Sequence, residues 1–468
     1  GTQSDSFTMA FNSSMTGGTG LVKFKDQFKG GTVSGTWTLT FTVSGMSVAI
    51  KYAVQVTGGT GKYKHVKGSG SGTGTLTSAT TGTFAWSANL KGVPATATGH
   101  TSNNVVGHLY AQTNGLTGNS VVTFNRYANG SVKRASVIST GGKGGAQPQP
   151  GCTATCPQLD TDFEVWLTPN RKLLFAVNAG SNTISAFSVS SHGALKLVDQ
   201  VSSNGVFPFS LTSHGNELYV LNTDSKSIAG FTFTSAGKLT AIPGSVQNLT
   251  KDAMPGLSRQ IGFDNTGKVL VVTLLMPSEM DTFQVGASGA AGPASEVGPT
   301  TPFAFGFAFD KRNQMIMSQV TSLMGEGNTA TYTVSSSGAL TPIDTKPSLG
   351  ALPCWAIVSP NQHLVFVVNT GNGAPPGATV ASYTLSTSGA LTLLGVSPAF
   401  TGEFLKTDEF ITPDGKYLYV MAHKGPNSGP ATDSHIDEYQ VASNGVLDFI
   451  GATPSTGLAL GLDGLVGF

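Results

Sequence analysis

Two interleaved repeats, each occurring seven times, constrain this chain more than any other feature. The first is a strand, a short turn closed by Gly, and a second strand. Its glycines are Gly130, Gly193, Gly237, Gly289, Gly338, Gly389 and Gly445, in phrases such as "YANGSV", "SSHGAL", "STSGAL" and "ASNGVL". After a first interval of 63 residues the spacings run from 44 to 56. The second repeat is a strand, a turn and an apolar strand. It reads "VWLTPNRKLLFAV", "FSLTSHGNELYVL", "IGFDNTGKVLVVT", "FAFDKRNQMIMSQ", "AIVSPNQHLVFVV", "FITPDGKYLYVMA" and finally "LALGLDGLVGF".

Two hairpins in about fifty residues make a four-stranded antiparallel unit. One such unit cannot bury both faces, but seven packed around an axis can, which predicts a seven-bladed β-propeller. The series opens on an outer hairpin and ends on an inner strand. "GHLYAQTN" (107–114) and the stretch 119–142 therefore supply three strands of one blade, and 457–468 supplies its innermost strand. Closure by ladder hydrogen bonds between the two ends protects the sheet edges. The propeller is placed at 105–468, with a Pro/Gly-rich insert at 141–160 that carries "CTATC".

Residues 1–104 follow neither repeat. "GTWTLTFTVSG", "VAIKYAVQVTGG" and "TTGTFAWSANLKG" read as short strands joined by Gly turns, hence a small β-sandwich or barrel. The fold class is all-β: 61 glycines suit tight turns, and no long segment keeps a helical apolar period. "SFTMAF" puts Phe7, Met9 and Phe11 on one face of a strand. That strand either pairs within its own domain or is donated to a sheet edge of a neighbouring copy.

No apolar run is long enough for a membrane-spanning helix, so no membrane insertion is expected. Charged residues make up 11% of the chain, against about 25% in an average soluble domain. With abundant Ser, Thr and Gly and a close cysteine pair, this favours an extracellular or cell-surface protein whose signal peptide has been removed. Net charge is +1 but unevenly spread. Residues 1–100 hold eight lysines against Asp5 and Asp26, a net +6; residues 101–468 hold 18 basic and 23 acidic residues, a net −5. The two parts should attract, within a chain or between chains. Basic residues are dispersed, which excludes a nucleic-acid footprint. Lys62, Lys64 and Lys67 form a short basic row suited to an acidic partner or simply to water.

Several phrases carry a family resemblance: "STGGKG" (139–144), "LLFAVNAGSNTISAF" (173–187), "GPTTPFAF" (298–305), "CWAIVSPN" (354–361) and "TPDGKYLYV" (412–420). With the repeat count they make the region 105–468 resemble the lactonase-family seven-bladed propellers, relatives of 6-phosphogluconolactonase and of muconate lactonising propellers. "GGTGKYKHVKGSGSG" in the first domain faintly resembles dirigent and allene-oxide-cyclase barrels. The lactonase resemblance implies a site at the central channel, with a His early in one inner strand and an Arg-His pair in the next. Here Phe209 stands at the first His position, and Arg259 is followed by Gln260 where the second His is expected.

Lactone hydrolysis needs a base for water and a cation for the developing oxyanion. Arg259 is the candidate cation, and Glu164, Asp408 and Glu409 near inner-strand starts are the candidate bases. As structural residues they would be blade-edge ion pairs or solvated loop charges. Phe209, Phe305 and Trp355 are candidates for lining the channel, and as inner-strand aromatics they also suit blade packing. Cys152 and Cys156 suit a disulfide pinching a short loop. No zinc or EF-hand pattern is present, so neither metal nor cofactor is expected. "HIDEY" (435–439) places His435 and Asp437 on one strand face, a surface cation site or a surface charge pair.

Three functions follow as expectations. The first is a secreted structural or adhesive protein that associates with copies of itself, into a filament or matrix, through the first domain. The second is a lactone hydrolase acting at the channel. The third is a carbohydrate-binding propeller.

Overall fold

A computed structural model describes residues 2–11, 17–28, 31–44, 47–60, 65, 67–76 and 82–91 of the first part of the chain. Of the second part it describes 104–148, 155–156, 159, 161–250, 257–275, 278–298, 303–321, 325–371, 377–400, 403–424, 433–454 and 462–468. The chain divides into two compact units, Gly1–Thr101 and Ser102–Phe468. Among the described residues the one helical element is a 3-10 turn at Ala179–Ser181, and no helix is long and apolar enough to cross a membrane.

The first unit is a single antiparallel meander of six strands: Thr2–Phe11, Gly17–Phe28, Gly31–Ser44, Ser47–Gly59, Lys67–Leu76 and Gly82–Lys91. Each strand pairs with its sequence neighbours, so the first and last are the sheet's outer strands. Thr2–Phe11 pairs inside its own unit, with Phe7 opposite Val22, Met9 opposite Gly20 and Phe11 opposite Gly18. Along the third strand Leu39 is buried while Thr38 and Thr40 are exposed, the alternation expected of a strand with one covered face.

The second unit holds seven blade sheets in ring order, six of four strands and one, blade 2, with a fifth short strand at Gln247–Asn248. Blade 1 spans Val165–Ser202, blade 2 Pro208–Ala241, blade 3 Ser258–Val297 and blade 4 Phe303–Ala351. Blade 5 spans Pro353–Val396 and blade 6 Glu403–Pro454. Blade 7 takes its inner strand, Asp463–Gly467, from the far end of the propeller and its other three from Val105–Gln112, Ser120–Tyr127 and Val132–Ser139. The ring is thus closed by strand pairing, as the repeat order predicts.

All seven repeat glycines lie at positive φ, between 72° and 88°, in the third-to-fourth-strand turn of each blade. Only Gly adopts that conformation without a Cβ penalty, which is why the turn is spelled with Gly seven times. These turns also tie one blade to the next. Tyr110, Tyr219 and Tyr419 donate their hydroxyls to the carbonyls of Gly193, Gly289 and Gly130 on the following blade at 2.9, 2.6 and 2.8 Å. The core follows the same plan. Apolar clusters sit between consecutive blades, for example Phe175, Leu211, Leu218 and Phe231 between blades 1 and 2, and Leu109, Phe124, Met421 and Leu465 between blades 6 and 7.

Candidate functional site

In blades 2 to 7 the innermost strand is bulged. Its register shifts between Pro208 and Ser210, Ser258 and Ile261, Ala304 and Phe307, Pro353 and Trp355, Lys406 and Glu409, and Asp463 and Val466. A bulge leaves residues unpaired and re-aims their side chains. Arg259, Phe305 and Asp408 all lie within these shifts, so the geometry that singles them out belongs to the inner strands of blades 2 to 7.

The segment leading into blade 1 crosses the axis. The Thr161 carbonyl accepts a hydrogen bond from Trp355 Nε1 of blade 5 at 2.8 Å, and the Thr161 hydroxyl donates to the Arg259 carbonyl of blade 3. Ser210 Oγ of blade 2 donates to the Asp162 carbonyl at 2.6 Å. The Asp162 carboxyl is close enough to blade 6 to feel the charges of Asp408 and Glu409. Contacts to blades 2, 3, 5 and 6 from two successive residues are possible only at the centre of the ring. Phe163, next in sequence, has φ +65°, an unusual conformation for a bulky residue, and its carbonyl accepts from Leu211 N at 2.9 Å.

The result is a dry acidic cluster around the axis: Asp162, Glu164, Asp408, Glu409 and Asp463, none more than 8% exposed. Burial disfavours the charged form of each carboxyl, and neighbouring carboxylates add repulsion. Burial, with the Asp408 and Asp463 charges, holds Glu164 well above the ordinary carboxylate range. Burial and Asp408 do the same for Asp162. Burial, Asp162 and Asp408 do so for Glu409. Asp408 is pushed up by burial to about 7, a rise limited by backbone N–H groups that donate to it, among them Gly464 N at 3.1 Å. Asp408 and Glu164 lie close enough that the Asp408 charge adds to burial in raising the Glu164 carboxyl. Arg259, fully buried, carries its guanidinium 5.2 Å from the centre of the Phe305 ring. Among the described residues no three His, Cys, Asp or Glu side chains are arranged to hold a metal ion.

Glu164, Asp408 and Glu409 come together at the axis and are buried, which removes the reading as solvated loop charges. Phe305 and Trp355 also reach the axis, with ring centres 5.4 Å apart. Phe209 lies in the shift between Pro208 and Ser210 and is buried in the cluster between blades 1 and 2. Gln260, at the second His position, is tied down as a structural bridge: its side chain donates to the Phe307 carbonyl at 2.8 Å and accepts from Phe307 N at 2.6 Å. His435 and Asp437 share a face, 3.4 Å apart, but they are buried, so the expectation of a surface pair is corrected. Lys67 is exposed, whereas Lys62 and Lys64 lie outside the described residues. Cys152 also lies outside them, and with it the expected bridge to Cys156, whose backbone forms a two-residue strand with Gln147–Pro148. Asp162 and Asp463 are cluster members that sequence reasoning passed over. Acidic residues at 160, 162 and 164 in "LDTDFE" were the available signal.

A family model described as lactonase, seven-bladed β-propeller, matches residues 116–251, which run from blade 7 through blade 2. The second unit is a lactonase-like propeller. A candidate 6-phosphogluconolactonase of Bacteroides fragilis is 18% identical, covers 79% of this chain and 99% of its own, and has a TM-score of 0.56. The periplasmic gluconolactonase of Pseudomonas aeruginosa is 14% identical, with 77% and 98% coverage and a TM-score of 0.54. A hypothetical selenium-binding protein of Sulfolobus tokodaii reaches a TM-score of 0.56 at 10% identity, covering 77% of this chain and 92% of its own. At such identities the likeness is one of fold, and differently named proteins share the lactonase-like propeller. No curated protein matches the sequence.

Proposed function

We propose that the propeller hydrolyses neutral sugar-acid lactones at its axial carboxyl cluster. The observation that carries this reading is the gathering of two buried carboxyls, Asp408 and Glu164, at the axis of a lactonase-like frame, both raised above the ordinary carboxylate range by burial. Asp408 as carboxylate takes a proton from the attacking water, Arg259 steadies the oxyanion forming on the lactone carbonyl, and Glu164 protonates the departing ring oxygen. A phosphoryl group would carry further charge into a buried site that already disfavours charge, so the substrate class is an uncharged aldonolactone. Substrate entry requires Thr161–Phe163 to move off the axis, since Arg259 and Glu164 are fully buried beneath the surrounding residues. The left-handed backbone at Phe163 places strain in that segment.

Turnover of five- and six-membered aldonolactones, followed by acid release, tests the reading. Arg259→Ala is expected to lower kcat/KM by roughly 10²–10³-fold, the effect of removing an oxyanion donor. No turnover of any lactone by the folded wild-type protein would overturn it.

A second reading concerns the first unit, and one observation favours it. We infer that this sheet pairs edge to edge with the same sheet of another copy. An antiparallel meander with an even number of strands has outer strands running in opposite directions. The first strand of one copy can therefore extend the last strand of another in the same antiparallel pattern. Thr2–Phe11 and Gly82–Lys91 are each ten residues long. The contact is head-to-tail and open-ended, so repetition gives a filament. Deletion of residues 2–11 is expected to reduce the protein to monomers in light scattering and electron microscopy. A wild-type protein that is monomeric at all concentrations, as a sheet closed on itself would be, sinks this reading.

A further inference from the structure

Blade 6 contains a second buried polar group that lactone chemistry leaves unused. Lys406 on its inner strand forms an ion pair with Asp437 on its third strand, and both side chains are fully buried. The middle strand lies between them, and the residue opposite both Lys406 and His435 in the ladder is Ala422, whose methyl group leaves room for the lysine stem to cross. The Lys406 ammonium sits 5.3 Å from the Phe400 ring centre and 5.9 Å from that of Tyr439. Two further groups address the Asp437 carboxyl, one to each oxygen. Tyr439 donates its hydroxyl to Oδ2 at 3.2 Å, and His435 Nε2 lies 3.4 Å from Oδ1.

Lysine is among the residues least often fully buried, and a buried ion pair is costly because both charges lose their water. The Lys406 ammonium is paired with the Asp437 carboxyl, whose carbon is an electrophile. The surroundings supply what amide formation needs: a dry pocket, a donor on the oxygen that remains and a proton carrier at the oxygen that leaves.

We propose that Lys406 and Asp437 condense into an intramolecular amide that cross-links the inner and third strands of blade 6. Proton transfer within the pair, relayed by His435, yields a neutral amine and a carboxylic acid. Nζ then bonds to the carboxyl carbon, with charge developing on Oδ2 held by the Tyr439 hydroxyl. His435 returns a proton to Oδ1, and the carbon–Oδ1 bond breaks. Of the three ammonium hydrogens one stays on the amide nitrogen and two leave with Oδ1 as water. The two charges cancel, and no other reactant is consumed. Loss of the water into solvent and removal of two buried charges favour the linked state. The cross-link is independent of lactone hydrolysis.

Mass spectrometry of the reduced, denatured full-length protein tests this directly. The wild-type chain is expected to be lighter than its sequence by the mass of one water molecule. Tryptic digestion should yield one branched peptide joining Lys406 to Asp437, with no cleavage after Lys406. Lys406→Arg and Asp437→Ala should each restore the full mass, and His435→Ala, which keeps both partners, should leave most of the protein unlinked. Recovery of Lys406 and Asp437 in separate, unmodified wild-type peptides overturns the proposal. So does a water loss that maps elsewhere, such as a succinimide.

Discussion

Removal of Leu462–Phe468 is expected to abolish the cooperative melting of the entire second unit rather than to fray one blade. The strand Asp463–Gly467 is the inner strand of blade 7 and pairs with Val105–Gln112. His108 and Phe468 exchange backbone hydrogen bonds, both at 3.0 Å, and Arg126 adds side-chain bonds to the Phe468 carbonyl at 3.4 Å. Gly107 sits so close to that carbonyl that a Cβ there would overlap it, so the seam has no slack. Leu462, Leu465 and Val466 are buried against blades 6, 7 and 1. Each such side chain contributes about 1.5–3 kcal/mol on burial. Their joint loss of roughly 5 kcal/mol or more reaches the lower end of the whole stability of a typical domain. Truncation also bares the sheet edge of Val105–Gln112 and removes the Gly464 N–H that donates to Asp408. Calorimetry of the truncated protein should show no sharp transition for the second unit. A single transition within a few degrees of wild type would mean that the ring does not depend on the strand.

Asp408→Asn is expected to make the protein more stable at mildly alkaline pH while abolishing most of its lactone turnover. The folded state raises the Asp408 carboxyl from its ordinary range near 4 to about 7, chiefly by burial. A carboxyl raised on folding binds its proton more tightly in the native than in the unfolded chain. Stability linked to it is therefore full below about pH 4 and falls as pH rises to about 7. Three pH units correspond to roughly 4 kcal/mol for this group alone. Asn keeps the shape and still accepts from Gly464 N but never ionises. At pH 8 the variant should exceed wild type by a few kcal/mol in denaturant unfolding, and near pH 4 the two should converge. Glu164, Asp162 and Glu409 are raised in the same direction, so wild-type stability itself should decline across this range. His423 works the opposite way. Burial lowers it to about 3, so stability linked to it is lost as pH falls from about 6.5. It is common to both proteins and cancels in their difference. Loss of a general base costs about 10²–10⁴-fold in turnover. A variant no more stable than wild type at pH 8 would show that burial does not raise the Asp408 carboxyl.

The repeat was legible because its constraints are local. Seven turns each need a residue at positive φ, and seven apolar strands each need alternation or full burial; both leave marks at fixed spacing. Arg259, Glu164, Asp408 and Glu409 were nameable for the weaker reason that charged residues stood near inner-strand starts. What those residues do was not legible. "FITPDGKYLYVMA" reads as an inner hairpin, yet nothing local announces that Asp408 stands just before it on a bulge facing Asp162 from more than two hundred residues away. Gln260 was read as a missing His, and only its two bonds to Phe307 show that the position now holds two blades together.

The sequence by itself determined the number of blades, the strand order and the seam between the two ends of the propeller. Each rests on backbone conformation and hydrophobic period, which neighbouring residues specify among themselves. Tertiary structure alone decided that the lead-in to blade 1 crosses the channel, that five carboxyls share a dry axis, and that Lys406 is enclosed with Asp437. Proton affinity depends on solvent exclusion and on charges brought close by the fold, and neither quantity is written in the spacing of residues along a chain.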